Sequence, residues 1–292
     1  MKTDPRDYEL VAPDSLHAVA ALMAREPGEW LPIAGGTDVM VLYAAGKLTA
    51  RKLVSVWDLP ELRRIEVTPE EVRVGAACTY SDIRMNETIA HEFSLLASAA
   101  SWTGGIANQN RGTLGGNIAN ASPAADSLPA LLAYEAELVF YSARGERRIA
   151  HAEFHLGYKK HALAPDELIR AICLPRKYGS YVFYTRKVGA RNAQAISKVC
   201  IAALGKVTNG AIEDVRIGLG SVAPVPLRLK ETERALIGQQ AKFALIDVAR
   251  RTVAQQIRPI DDIRSTSQYR AAVASNLVAE FVEKLCAGAC RA

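Results

Sequence analysis

Apolar and polar residues recur along this chain in two periods, and the changeovers divide it. Near the start Leu16, Val19, Ala20 and Met23 repeat at helical spacing behind Asp14 and Ser15, either of which can cap a helix, and Pro27 stops it. The apolar run at 31–34 predicts a strand entering a Gly35-Gly36 bend, and residues 53–56 predict another strand. Helix, strand, bend and strand make a small α/β lobe closing near Leu59. From Ile65 the period drops to two: Ile65 and Val67 alternate, Thr68-Pro69-Glu70-Glu71 turns the chain, and Val72 and Val74 alternate back as a hairpin. Residues 80–100 predict helix, 128–134 a short apolar helix, and 138–141 and 168–174 strands parted by a turn at Gly145 and a polar loop. This second lobe reads as mixed and antiparallel.

Residues 175–180 hold Pro, basic residues, Tyr, Gly and Ser, a plausible boundary. Beyond them 181–188 reads as a strand, and 199–207 and 211–219 as a hairpin across Asn209-Gly210. Thr266 or Ser267 caps a closing helix on which Tyr269, Val273, Leu277, Phe281 and Leu285 fall four apart. The predicted class is α+β. A first domain covers 1–177, in lobes of about 1–59 and 60–177, and a second covers 178–292 with strands packed against helices.

Composition narrows the function classes. The net charge is +5, but Lys and Arg are interleaved with acids and no basic run carries spaced aromatics, which argues against nucleic acid as a partner. MKTDPRDYEL has no apolar core after its charges, and no apolar run is long enough for a membrane span. Five scattered cysteines, including Cys286 and Cys290 four apart, fit reduced thiols and a cytoplasmic location. HAEFH sets His151 and His155 four apart with His161 near, yet in a turn-rich stretch without HExxH, so no metal is expected. Nucleophile elbows and paired acid/base carboxylates are not recognisable.

The chemistry lies in two glycine pairs, IAGGTDVMV at 33–41 and RGTLGGNIANASPAAD at 111–126. Without a Cβ the backbone can press on a ligand and aim consecutive amides at it. The first pair alone reads equally well as a plain turn. The second adds Asn117, Asn120, Ser122 and Asp126, donors and acceptors suited to a diphosphate and its sugar chain. Two such bends suit the two phosphates of a dinucleotide, and flavin binding is where they point. No lysine follows either pair as a Walker loop demands. A third pattern, Gly218-Leu219-Gly220-Ser221-Val222-Ala223, matches G-x-G-x-x-A, but Pro224 and Pro226 forbid the helix that must follow. Lys187 ends a strand at the domain junction; most lysines are simply solvated, but one here can lean over a cofactor and favour its reduced, anionic form.

With AGGTDVMV, NRGTLGGNIANASPAADSLPAL, SVAPVPLR (221–228) and SQYRAAVASNLV (267–278), the chain resembles the FAD-binding medium subunit of the molybdenum hydroxylases over nearly its whole length. That family includes xanthine, carbon monoxide, nicotinate and isoquinoline dehydrogenases. The resemblance implies a two-lobed FAD domain of the vanillyl-alcohol-oxidase type followed by a ferredoxin-like α+β domain. It implies that Ile33, Ala34, Gly35, Gly36, Thr37 and Asp38 wrap the FAD pyrophosphate with their backbone. Thr113, Gly115, Gly116 and Asn117 would contact flavin and phosphates, while Asn120 and Asp126 hold ribityl or ribose hydroxyls. Thr103 would line the flavin, Ile169 pack on the cofactor, and Lys187 sit beside the isoalloxazine edge. The implied partners are a molybdopterin-containing large subunit, a [2Fe-2S] small subunit and an acceptor such as NAD, quinone or oxygen. Two departures fall near the flavin: Gly104-Gly105-Ile106-Ala107-Asn108-Gln109 replaces the usual Gly-x-Pro-Gln-x-Arg, and Ala195 stands before Ile196 where many members carry Asp. A stand-alone flavin oxidase or dehydrogenase of the same fold, and a flavin-less scaffold subunit, are the alternative readings.

Overall fold

The structure is a computed structural model that describes residues 4–191 and 194–289. Of the two cysteines four apart near the C-terminus, Cys290 lies outside the described residues; Cys286 is buried, as are Cys78, Cys173 and Cys200.

The first lobe is a parallel three-stranded sheet. Strand β1 (Glu9–Val11) and strand β2 (Trp30–Ile33) both run parallel to β3 (Lys52–Ser55) between them. Helix α1 (Leu16–Arg25) is capped by Ser15, whose hydroxyl accepts from the Ala18 amide, and buries Leu16, Val19, Ala20 and Met23 as the periodicity predicts. Helix α2 (Val39–Ala44) follows the first bend directly.

The second lobe is an antiparallel sheet ordered β4 (Ile65–Val67), β5 (Glu71–Gly75), β10 (Leu168–Pro175), β6 (Glu137–Ser142), β7 (Gly145–Ala150). The predicted helical stretch after it is three helices: α3 (Tyr80–Met85), α4 (Glu87–Glu92) and α5 (Ser94–Trp102). Asn86 makes the first break, since its backbone is extended and its side chain accepts from the Ile89 amide to restart the helix. Phe93, at φ −125° and ψ 49°, makes the second. After α6 (Ile106–Gln109) the second glycine pair is helical, inside α7 (Leu114–Ala119), where Thr113 Oγ1 accepts from the Gly116 amide. Helix α8 (Leu128–Ala133) is buried on every side. The polar stretch after β7 is a small hairpin, β8 (His155–Gly157) with β9 (Lys160–His161).

The second domain is an antiparallel sheet, β11 (Val182–Val188), β12 (Val199–Thr208), β13 (Ala211–Gly220) and β14 (Leu227–Arg228), followed by α9 (Lys230–Leu236), α10 (Leu245–Gln256) and α11 (Ser267–Ala289). Asn209 and Gly210 both take positive φ, the turn their sequence predicts. Thr266 Oγ1 accepts from the Tyr269 amide and so caps α11. Alternation along β12 sorts its side chains: Val199, Ile201 and Ala203 join the helices' core, while Ala202 and Leu204 join the core of the first domain.

The G-x-G at Gly218 and Gly220 belongs to this seam. A Cβ on Gly218 would stand 2.3 Å from the Pro129 carbonyl oxygen, so only glycine lets β13 lie against α8. Two acids flank α8. Asp126 accepts from Lys187 Nζ (2.6 Å) and Ser197 Oγ (2.5 Å). Glu135 accepts from Lys177 Nζ (3.0 Å), Tyr178 Oη (2.9 Å) and Arg228 Nη1 (2.9 Å). Those bonds hold the Glu135 carboxyl down at about 2 against the opposing effect of its burial.

Candidate cofactor site

The two glycine bends meet. A Cβ on Gly35 would fall 1.6 Å from the Arg111 carbonyl oxygen, so the first bend lies directly against the segment entering the second. Gly36 adopts φ +76°, a left-handed conformation that aims the chain from β2 into α2. On the other side a Cβ on Gly115 would fall 2.5 Å from Ala76 Cβ, so α7 is pressed onto the second-lobe sheet. Asn120 Nδ2 donates to Asp38 Oδ1 (2.9 Å), and Lys159 Nζ donates to both the Asn120 carbonyl and its Oδ1 (2.6 Å each). One chain of hydrogen bonds thereby ties the β8–β9 hairpin, the end of α7 and the first bend.

Between these pieces runs a cleft of three adjoining cavities. The central one, about 470 Å³, is walled by Gly35, Gly36, Thr37, Thr113, Gly116 and Asn117, among others. An apolar one of about 450 Å³ opens from it past Leu31, Ala34 and His161, and is walled by Met23, Trp30, Val56, Leu62 and Ile169. A third of about 530 Å³ opens past Asp38, Thr103, Asn117 and Asn120 to Asp126, Arg191, Gln194 and Ile196 at the domain junction. Apolar, then glycine-lined, then polar and open: the order suits an extended ligand with a charged middle.

The sequence candidates fall into place unevenly. Ala34, Gly35, Gly36, Thr37, Asp38, Thr103, Thr113, Gly116, Asn117 and Asn120 wall the central cavity, and Gly115 and Ile169 the apolar one. Ile33 ends β2, where its carbonyl accepts from the Val56 amide and its side chain lies 3.8 Å from the Gly36 Cβ position. Asn117 Oδ1 accepts from Ser127 Oγ (2.8 Å), which fixes its amide group. Asp126 walls the junction cavity with its carboxylate already held by Lys187 and Ser197; burial pushes its pKa up, and those two donors oppose the rise. Lys187 lies behind Asp126, and its ammonium also reaches the Trp102 carbonyl (2.9 Å).

The sequence marks neither Lys159 nor Tyr80 as a site residue and offers His161 only as a neighbour of the HAEFH histidines. Lys159 lies in the turn between β8 and β9, and His161 ends a strand of two residues, too short to carry a periodic signal. Tyr80 was read as a helix start; its hydroxyl reaches Ser127 (3.5 Å), and burial pushes its pKa up. Among the described residues no three His, Cys, Asp or Glu side chains are grouped to hold a metal ion, and no helix is long and apolar enough to cross a membrane.

The cleft fits a dinucleotide on two observations. Its middle is walled by the main chain of Gly35, Gly36 and Gly116, and His161 Nδ1 is buried at its wall without a hydrogen-bond partner.

The chain is similar to known proteins along most of its length. The family described as the FAD binding domain in molybdopterin dehydrogenase matches residues 6–177, and the CO dehydrogenase flavoprotein C-terminal domain matches residues 184–285. The chain is 28% identical over 270 residues to the xanthine dehydrogenase FAD-binding subunit of Escherichia coli O157:H7, covering 92% of each. It is 28% identical over 266 residues to the glyceraldehyde dehydrogenase medium chain of Sulfolobus acidocaldarius, covering 91% of this chain and 94% of that one. A solved structure of carbon monoxide dehydrogenase from Hydrogenophaga pseudoflava, lacking the Mo-pyranopterin moiety, aligns with a TM-score of 0.90 at 26% identity, covering 94% of this chain and 95% of that one.

Proposed function

From the premise that the chain belongs to the family of FAD-binding domains in molybdopterin dehydrogenases, and so is an FAD-binding oxidoreductase subunit, we propose how it works. It is the medium, electron-transferring member of a complex with a molybdopterin-containing large subunit and a [2Fe-2S] small subunit. Electrons arrive singly from the iron–sulfur clusters and leave for NAD, quinone or oxygen. Bound FAD supplies the redox chemistry, storing two electrons and releasing them to the acceptor.

The protein's part is to hold and orient. Residues 33–38 and Thr113, Gly115 and Gly116 take the diphosphate, with Gly35 letting the first bend lie against Arg111 and the left-handed Gly36 setting the turn that presents the backbone. The apolar cavity beside Ile169 takes the adenine. The isoalloxazine lies at the junction, along Thr103, Asn117 and Asp126, because that end opens to the surface where a redox partner can approach. Asp126 and Lys187 fix the second domain over it, and Asn120 steadies the sugar-chain side through Asp38.

The observation that carries this reading is the contact between the two bends: a cleft whose middle is walled by Gly35, Gly36 and Gly116. The test is purification of the chain in its native complex, followed by cofactor and subunit analysis. The expected result is a flavin spectrum that bleaches on reduction, with molybdenum and iron–sulfur subunits in the same particle. A colourless chain that takes up no FAD overturns the site; a yellow chain that turns over a small substrate alone overturns the complex.

A further inference from the structure

The β8–β9 hairpin also contributes to the wall of the central cavity, through Lys159 and His161, and nothing in the function just described uses it. Its tip residue Lys159 has φ +56°, a left-handed conformation that costs a non-glycine residue free energy. The hairpin thus holds a lysine, at some strain, at the mouth of a cleft built for a dianion. Among the side chains walling the central cavity, the ones able to carry positive charge are Lys159 and His161, and the carboxylate is Asp38. Arg111 does not wall this cavity: its guanidinium lies 3.9 Å from the centre of the Trp57 ring, and its Nε donates to the Gly35 carbonyl (3.4 Å).

His161, two positions further on, walls both the central and the apolar cavities. Its ring is stacked on Phe154 (5.5 Å between centres, 11° between planes), so its orientation is set, and its buried Nδ1 has no partner. A buried polar nitrogen left unpaired is destabilising unless a ligand completes it. Lys159 hydrogen-bonds only neutral acceptors on Asn120; partial burial pushes its pKa down and the Asp38 carboxylate opposes the fall, so a phosphate anion beside it adds charge compensation to what Asp38 supplies.

We propose that the β8–β9 hairpin is the dinucleotide-selecting element of the site. Lys159 supplies the counter-charge to the AMP-side phosphate of the FAD diphosphate, and His161, which also walls the apolar cavity, a hydrogen bond to that phosphate or to the adenosine ribose. FMN ends at its own single phosphate and has neither group. The inference rests on FAD binding in this cleft and adds how the protein tells FAD from a mononucleotide flavin.

The test is fluorescence titration of the flavin-free full chain with FAD and with FMN, at low and at moderate salt. Lys159→Met is expected to weaken FAD about ten-fold, leave FMN within two-fold, and flatten the salt dependence of FAD binding. Lys159→Arg restores most of the FAD affinity, and His161→Leu lowers FAD affinity without touching FMN. Thermal unfolding of the flavin-free variants, unchanged from wild type, shows that folding is not what moved. FAD affinity within two-fold of wild type in Lys159→Met overturns the hairpin's role and leaves FAD binding standing; so does equal loss of FAD and FMN. A wild-type chain that takes up neither flavin overturns both this inference and the site beneath it.

Discussion

A methyl group at Gly35 would stand 1.6 Å from the Arg111 carbonyl oxygen, whereas one at Gly36 would meet nothing nearer than Met40 Cγ at 3.4 Å. The neighbouring glycines therefore fail differently. Gly36→Ala must hold φ near +76°, at about 1–2 kcal/mol, and is expected to keep its flavin. Gly35→Ala has to drive two backbones apart; thermal unfolding and flavin content should show about 3 kcal/mol or more of lost stability and a cofactor that washes out. His151 offers a residue-scale test by pH. It is buried with neither ring nitrogen bonded, and burial holds it down at about 3 against an ordinary 6.5. As pH falls below 6.5 the unfolded chain takes the proton and the folded one does not. The stability His151 permits at neutral pH is therefore lost progressively from 6.5 down to 3, at about 1.4 kcal/mol per pH unit. Urea midpoints of His151→Phe should decline less between pH 6.5 and 4.5 than those of wild type. Parallel declines would show that this imidazole is not the source.

At the scale of elements, α8 and the strands against it decide how the domains meet. Glu135 takes an ion pair or hydrogen bond from both sides of the seam, and Glu135→Gln would leave Arg216 and Arg228 facing each other without their shared acid. Because the carboxylate is partly solvated, a loss of about 1–2 kcal/mol in urea unfolding is expected, short of that for a fully buried pair. Elements of the second domain are legible in sequence because they are long: β12 is an apolar run, β13 alternates over Val215, Ile217 and Leu219, Asn209-Gly210 marks the turn between them, and α11 keeps its spacing through Leu285. Helices α2, α6 and α7 are not, since four to six residues give no periodicity and such helices form only when packing supports them. The site divides along the same line. Glycine pairs announce their bends locally, but the Lys187 to Asp126 bond joins residues 61 apart, and only the folded sheet brings them together. The G-x-G-x-x-A pattern was rightly set aside for its prolines, though its true reason, contact with Pro129, lay 89 residues from Gly218 and out of view.

For the whole molecule, the cleft uses walls from both lobes and the second domain, so flavin should act as a cross-brace. FAD at a hundred times its dissociation constant is expected to stabilise the chain by about 2.7 kcal/mol, seen as a raised unfolding midpoint that FMN matches only in part. The fit of β13 onto Pro129 has a separate consequence. Where main chain touches main chain with no room for so much as a methyl, neither half has a face it could present to water unharmed. A protease nick in the exposed connector around Gly179 and Ser180 should therefore leave both fragments eluting as one particle. Expressed apart, each should be sticky and poorly soluble. What looks like two modules strung on a linker would then be inherited, made and degraded as a single object.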